Sequence, residues 1–145
     1  AEGDIHLTKA ADCAEDFDIS ESRDIESGTV MVIEDEGKLK ECEVPYDKRV
    51  AGVISGAGNY KPGLVLDKRK SLENRKSISL MGKVYCKVNA QSAPIGVGDL
   101  LTTSSMKGHA MKAEDPTKAF GSVIGKALHP LKTGAGMIPI LIALQ

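Results

Sequence analysis

A run of hydroxyl-bearing residues, Thr102-Thr103-Ser104-Ser105, precedes His109. A serine or threonine beside a histidine base is the arrangement of a nucleophilic enzyme. The GxSxG turn that often presents such a nucleophile does not occur in the sequence. His6 and His129 are not tied to the run by spacing. Because Lys107-Gly108 suits a tight turn, the run predicts a polar hairpin loop rather than a catalytic centre.

A dense acidic stretch is the second candidate for chemistry, since paired carboxylates bind Ca²⁺ or act as acid and base. Its members are Asp12, Glu15, Asp16 and Asp18. A calcium loop needs alternating ligands, a central glycine and a distal glutamate, so we predict a solvated acidic turn instead. His129-Pro130 fits the end of a strand better than a ligand. No phosphate-loop or zinc-protease motif is present, so we assign no catalytic, cofactor-binding or metal residue.

Three cysteines, Cys13, Cys42 and Cys86, are spaced too widely for a zinc site. Cys86 alternates with Val84 and Val88 and faces the same side of a predicted strand. This pattern predicts a buried free thiol. One disulfide plus one free thiol is the alternative for an extracellular protein.

Composition excludes several classes of partner. The net charge is −1, from 19 basic and 20 acidic residues, so nothing steers the chain to nucleic acid or an anionic membrane. Aromatic residues make up 3%, too few for a glycan-binding face or a base-stacking platform. The basic run at 67–76 predicts a solvated loop. No transmembrane or signal segment is recognisable, which allows cytoplasmic production. A first residue other than Met is compatible with removal of an initiator Met, with removal of a leader, or with a chain cut from a longer protein.

The chain repeats itself, because residues 28–57 resemble residues 98–127 at an offset of 70 or 71. A repeated unit constrains the fold and weakens any catalytic interpretation of residues that recur. The matched positions are Gly28 with Gly98, Gly37 with Gly108, Glu43 with Glu114, Pro45 with Pro116, Lys48 with Lys118, Val53-Ile54 with Val123-Ile124, and Ala57 with Ala127.

Alternating and β-branched residues predict strands almost throughout. We expect an all-β fold of ten or eleven strands with almost no helix. It would be a single compact β-barrel-like domain over 1–145, built from two half-units with pseudo-two-fold symmetry. A strand at 77–89, bent or bulged at Gly82, links the half-units, and a strand at 137–144 closes the domain. Pro116 predicts one helical turn, while Gly98 and Asp99 predict a tight turn with Thr29 as the weaker counterpart of Asp99.

Several segments resemble the C-terminal β-domain of phage tail-fibre and neck-appendage proteins and of related bacterial surface proteins. Those segments are Ala14–Phe17, Asp47–Ser55, Gly82–Val88, Pro94–Ser104, Gly108–Ala113 and Val123–Leu128. The family includes an intramolecular-chaperone autocleavage domain. The resemblance implies a β-rich domain that forms trimers, helps a fibre to fold and, in some members, cuts itself off.

These observations favour a non-enzymatic structural domain that self-associates in a phage-tail-like, filamentous or other extracellular assembly, including a virion. Its partner would be itself, as a trimer or higher polymer that buries Met137–Leu144 and Val50–Ile54. No cofactor is expected. The first alternative is a self-cleaving intramolecular chaperone of a fibre protein. The second is a small-ligand-binding β-barrel, which the low aromatic content disfavours.

Overall fold

Ten strands dominate a computed structural model that describes residues 12–20, 24–56, 62–65 and 75–145. Strands take up 51% of the structure and helices 6%, which confirms the predicted all-β class. One 3-10 turn lies at Asp35–Gly37, and the short helix α1 spans Pro116–Ala119. The strands are β1 (Asp12–Asp18), β2 (Val30–Ile33), β3 (Leu39–Glu41), β4 (Val50–Ile54), β5 (Pro62–Val65), β6 (Arg75–Asn89), β7 (Leu100–Thr103), β8 (Ala110–Lys112), β9 (Val123–Ala127) and β10 (Ala135–Ala143).

Five of the strands close into a barrel. β10 lies antiparallel between β6 and β9, and β7 lies antiparallel between β9 and β8. A parallel bridge from Val88 to Ala110 joins β8 back to β6 and completes the ring. The predicted strands at 77–89 and 137–144 are therefore β6 and β10, and the half-unit at 98–127 supplies the other three. This ring confirms the barrel-like fold.

The half-unit at 28–57 lies beside the ring, and β6 links the two. β4 pairs with the first half of β6, where Val53 faces Ser79, and β2 pairs with both β4 and β3. β1 runs antiparallel to β6, and a single parallel bridge from Ile19 to Leu39 joins the end of β1 to β3. Gly82, in the middle of β6, has φ +94, and the β1–β6 ladder is irregular beside it, as predicted.

Strand pairing supports the sequence repeat in its first two strands. Met31 faces Glu41 in one hairpin, and Leu101 faces Lys112 in the other, which are positions 70 and 71 residues apart. A bulge follows Met31 on β2, and another follows Leu101 on β7. The shared register gives the two half-units the same hairpin geometry. The pseudo-two-fold axis between them stays a prediction.

The predicted match breaks down at the third strand of each half-unit. Gly52 faces Met31, whereas Gly125 faces Leu101, so structurally equivalent residues here are 73 apart. The match of Val53-Ile54 with Val123-Ile124 was therefore wrong by three residues. The equivalence shifts because the loop before β9 contains α1 and is longer than the loop before β4.

Two aliphatic clusters form the core, and β4 contributes to both. Val50 and Val53 join the cluster that fills the barrel, while Ala51 and Ile54 join a second cluster beneath β1 and β2. Every residue of β4 is buried within one chain. The prediction that Val50–Ile54 is buried by self-association was therefore wrong, because the chain already covers this strand.

Three local predictions concern the polar segments. The acidic residues from Asp12 to Asp18 lie on strand β1, not on a solvated turn, because this segment pairs with β6. The predicted helical turn at α1 is confirmed, since the Asp115 Oδ1 oxygen accepts hydrogen bonds from the first-turn N–H groups. The basic run at 67–76, predicted as a solvated loop, lies outside the described residues up to position 74, and its last two residues, Arg75 and Lys76, begin strand β6 instead.

Candidate functional site

Three members of the hydroxyl run, Thr102, Thr103 and Ser104, are buried, whereas Ser105 is exposed. The Thr103 hydroxyl donates to the Val44 carbonyl (2.6 Å) and accepts from the Asp47 N–H (2.8 Å). The Ser104 hydroxyl donates to the His109 carbonyl (2.7 Å). Thr102 and Thr103 end strand β7, so only Ser104 and Ser105 lie in the predicted hairpin loop. The hydroxyls of Thr103 and Ser104 are committed to backbone groups of the fold.

The histidines of this part of the chain are also engaged by backbone. Nδ1 of His109 lies 2.8 Å from the Lys107 carbonyl, and Nδ1 of His129 lies 2.9 Å from the Pro130 carbonyl. Neither imidazole has a hydrogen bond to a serine or threonine hydroxyl among the described residues. The structure therefore does not bring together the nucleophile and base that the sequence spacing raised.

All three cysteines are free and buried, which confirms the buried free thiol predicted at Cys86. Burial raises the pKa of the Cys42 thiol to about 11 and raises that of Cys86 as well. The Cys42 thiol also donates to the His109 carbonyl at 3.4 Å. Because the thiolate is the reactive form, the neutral thiols of Cys42 and Cys86 are poor nucleophiles near neutral pH.

The loop between β7 and β8 docks directly on the other half-unit. The Gly108 N–H donates to the Cys42 carbonyl, and the Val30 N–H donates to the Gly108 carbonyl, both at 2.9 Å. Gly108 has φ +74, and a Cβ atom there would lie 2.8 Å from Thr29 Cγ2. The predicted capping role of Thr29 is wrong, because its buried hydroxyl has no hydrogen-bond partner in the described part of the chain.

A charged turn before β4 is a feature that the sequence analysis missed. The Arg49 guanidinium donates to both oxygens of Asp47, at 3.0 and 2.9 Å, and the Asp47 side chain is only 6% exposed. These hydrogen bonds hold the pKa of the Asp47 carboxyl below its usual range. The adjacent opposite charges in the sequence Asp47-Lys48-Arg49 were the signal that could have identified the pair.

Tyr46, in the same turn, ties the half-units together. Its hydroxyl oxygen accepts from the N–H groups of Glu114 (3.1 Å) and Asp115 (3.0 Å). Its backbone adopts φ +56, which is uncommon for a residue other than glycine. The Tyr46 hydroxyl therefore holds the segment before α1 against the other half-unit, and nothing in the sequence pattern predicts this contact.

One open pocket of about 560 Å³ adjoins this turn. Its lining residues are Pro45, Tyr46, Lys48, Thr117 and Lys118. The Lys118 ammonium lies 6.0 Å from the centre of the Tyr46 ring. The titratable groups of this lining are the Tyr46 phenol and the ammonium groups of Lys48 and Lys118.

Residues 12–20, 24–56, 62–65 and 75–145 contain no group of three or more His, Cys, Asp or Glu side chains placed to hold a metal ion. Their helices are all too short to cross a membrane.

The outside of the barrel carries the most extensive set of exposed aliphatic side chains on neighbouring strands. Five such side chains are between 37% and 51% exposed: Met81, Leu100, Leu128, Met137 and Leu141. They lie on the adjacent strands β6, β10, β9 and β7 or just beyond their ends. We call the following set the barrel face: Met81, Lys83, Leu100, Lys126, Leu128, Met137 and Leu141.

Strand register aligns four residues of the barrel face in one row. Leu100 faces Lys126, Lys126 faces Leu141, and Leu141 faces Lys83. Neighbouring strands are about 4.8 Å apart, so the row crosses the face over about 14 Å. Lysine stems also cover apolar surface while the ammonium groups stay in water, so this face presents apolar area and positive charge together.

Comparison with known proteins identifies the fold. No protein-family model matches the chain, and no curated protein sequence matches it. The crystal structure of the C-terminal fragment of bacteriophage phi29 gene product 12 matches with a TM-score of 0.61 at 15% identity, over 91% of this chain and 100% of the fragment. Pre-mature gene product 12 of the same phage matches with a TM-score of 0.65 at 15% identity, over 92% of this chain and 21% of that chain. This protein shares the fold of that C-terminal fragment.

Proposed function

We propose that the chain is a non-enzymatic structural domain that self-associates, as a trimer or higher polymer, in a phage appendage or similar extracellular assembly. It would act as a single domain over 1–145 without catalytic residues, metal or cofactor. The barrel face carries the proposal, because its five apolar side chains remain 37–51% exposed within the described chain. Exposed apolar patches of this kind are typical of interaction sites.

The shared fold supports the same function. The matched structures come from a phage protein, and the match covers a complete C-terminal fragment of it. Inside the barrel, Val84, Ile138 and Ile140 are buried and packed together, which argues against the small-ligand-binding alternative. A binding barrel of that kind needs a concave site with convergent polar groups.

Light scattering on one substitution tests the function. Leu141→Asp places a carboxylate between Lys83 and Lys126, where it can form ion pairs without disturbing the barrel interior. We expect the wild-type chain to have a multiple of the monomer mass, 15.4 kDa, and the variant to return to that mass. Val97→Asp is the matched control, because Val97 is 67% exposed but lies off the barrel face. A wild-type chain that is monomeric at every concentration would contradict the proposed function.

A self-cleaving chaperone domain is the second candidate. It is favoured by the comparison in which this fold makes up 21% of a longer pre-mature chain and also all of a separate fragment. The test is the intact mass of the protein expressed with its natural upstream sequence. A product of only the uncleaved mass would rule out this candidate and leave the structural function standing.

A further inference from the structure

Charge is distributed very unevenly along the chain. Residues 1–47 contain 15 of the 20 acidic and 4 of the 19 basic residues, and residues 48–145 contain 5 acidic and 15 basic residues. The net charge of −1 therefore hides two strongly and oppositely charged parts. Long-range attraction between such parts can act within one molecule or between two copies.

Part of this attraction is satisfied within the molecule. Arg75 donates to Asp18 at 2.8 Å, and Lys87 binds Glu26, so β6 neutralises acids of the N-terminal part. On the barrel face, Lys83 and Lys126 form no ion pair with any described residue. These two ammonium groups flank Leu141 and are exposed, so they are available to a partner.

The exposed acids lie on a different surface, at the tip of the β2–β3 hairpin. Asp35 and Glu36 are exposed and form no ion pair within the described chain. Ile33, at the end of β2, is 44% exposed. The hairpin pairs with β4 and, through the Ile19–Leu39 bridge, with the end of β1, and its strands are not part of the barrel. Its tip presents one aliphatic side chain and two carboxylates beside the exposed Lys38, so it is net acidic and complements the apolar and basic barrel face.

We propose that copies of the chain associate head to tail, with the acidic β2–β3 tip of one copy on the barrel face of the next. The occupant of the barrel face is therefore a second copy of this chain. The inference rests on the proposed self-association and adds the two surfaces involved. A symmetric contact of two barrel faces would place lysines against lysines, which is unfavourable. Contacts between two different surfaces build rings or open filaments, in agreement with a trimer or higher polymer.

Charge reversal on each surface tests the pairing. One variant carries Lys83→Glu and Lys126→Glu, and the other carries Asp35→Lys and Glu36→Lys. Each variant alone sets like charges against each other, so we expect its dissociation constant to rise roughly 100-fold. The matched control for the first variant carries Lys118→Glu and Lys132→Glu. It makes the same change in net charge as Lys83→Glu with Lys126→Glu, but away from the barrel face, and it should associate like the wild type.

Mixing the two variants is the decisive step. The glutamate face of one then meets the lysine tip of the other, and the native pairing is present at the second contact. Light scattering should show restored association with equal amounts of both variants, which also proves that both are folded. A mixture that remains monomeric would overturn the proposal. The proposal would also be overturned if each variant alone associated as strongly as the wild type, but self-association itself would then still stand. A monomeric wild type would instead contradict self-association.

Discussion

Gly125 is the position where a single methyl group should do the most damage. It lies in β9 opposite β10, and a Cβ atom there would be 2.0 Å from the Leu141 carbonyl oxygen and 2.9 Å from Ile142 Cα. Ordinary contacts need about 3.4 Å, so Gly125→Ala forces β10 back by more than about 1 Å. Hydrogen bonds stretched that far are no longer formed.

The cost follows from the ladder that this shift breaks. β9 and β10 pair through three residues each, ending at Gly125 and Ile142. Losing about two of the hydrogen bonds, at 0.5–1.5 kcal/mol each, and straining the packing by about 1–3 kcal/mol gives a loss of about 4 kcal/mol. For a chain of this size, we expect the melting temperature to fall by about 8–16 °C.

Gly98→Ala is the matched comparison, and urea denaturation with calorimetry is the assay. Gly98 has φ +88, but nothing lies within 4 Å of an added Cβ atom, so only backbone strain of about 1–2 kcal/mol applies. The same clash recurs at Gly52, whose Cβ atom would lie 2.3 Å from the Ser79 carbonyl oxygen. A Gly125→Ala protein as stable as the wild type would refute the close approach of β9 and β10.

Three further predictions concern the contacts between half-units and the thiols. Thr103→Val leaves two backbone partners of the hydroxyl unpaired and should cost about 2–3 kcal/mol in urea denaturation, whereas Ser105→Ala, at an exposed position, should cost less than about 0.5 kcal/mol. The depressed pKa of Asp47 means that its bond to Arg49 stabilises the fold above the unfolded pKa, near 3.9, and is lost as pH falls through the folded pKa. Asp47→Asn should therefore lower the melting temperature at pH 7, and its effect should shrink as the pH falls through the folded pKa; an effect that stays constant on acidification would contradict the pair. With its pKa near 11, the Cys42 thiol should react with Ellman's reagent at pH 8 only after denaturation, and rapid labelling of the native protein would refute its burial.

Local patterns in the sequence predicted most of the strands and the barrel. Alternation identified β6, and the glycines at 28 and 98 identified turns whose φ angles are +91 and +88. The roles of Gly52 and Gly125 could not be predicted, because they depend on which carbonyl of another strand lies opposite. The contact of Tyr46 with the segment before α1 joins residues 68 and 69 apart in the chain, so no short pattern carries it.

Site predictions failed or held for similar reasons. The loop interpretation of the hydroxyl run held only for Ser104 and Ser105, next to the local turn residues Lys107-Gly108, because Thr102 and Thr103 end strand β7. The expected capping by Thr29 failed, because its methyl group packs against the loop of the other half-unit at Gly108, and its buried hydroxyl has no hydrogen-bond partner among the described residues. Exposure of β4 was also misjudged, since a fully apolar strand looks the same whether a second copy or the same chain covers it.

Sedimentation equilibrium of the wild-type chain is the most direct test of self-association. The measurement needs a wide range of protein concentration, at low salt and at about 1 M salt, where charge attraction is screened within about 3 Å. Self-association through oppositely charged surfaces predicts an average mass that rises with concentration to at least twice 15.4 kDa and falls when salt is added. A single species of 15.4 kDa under every condition would contradict it.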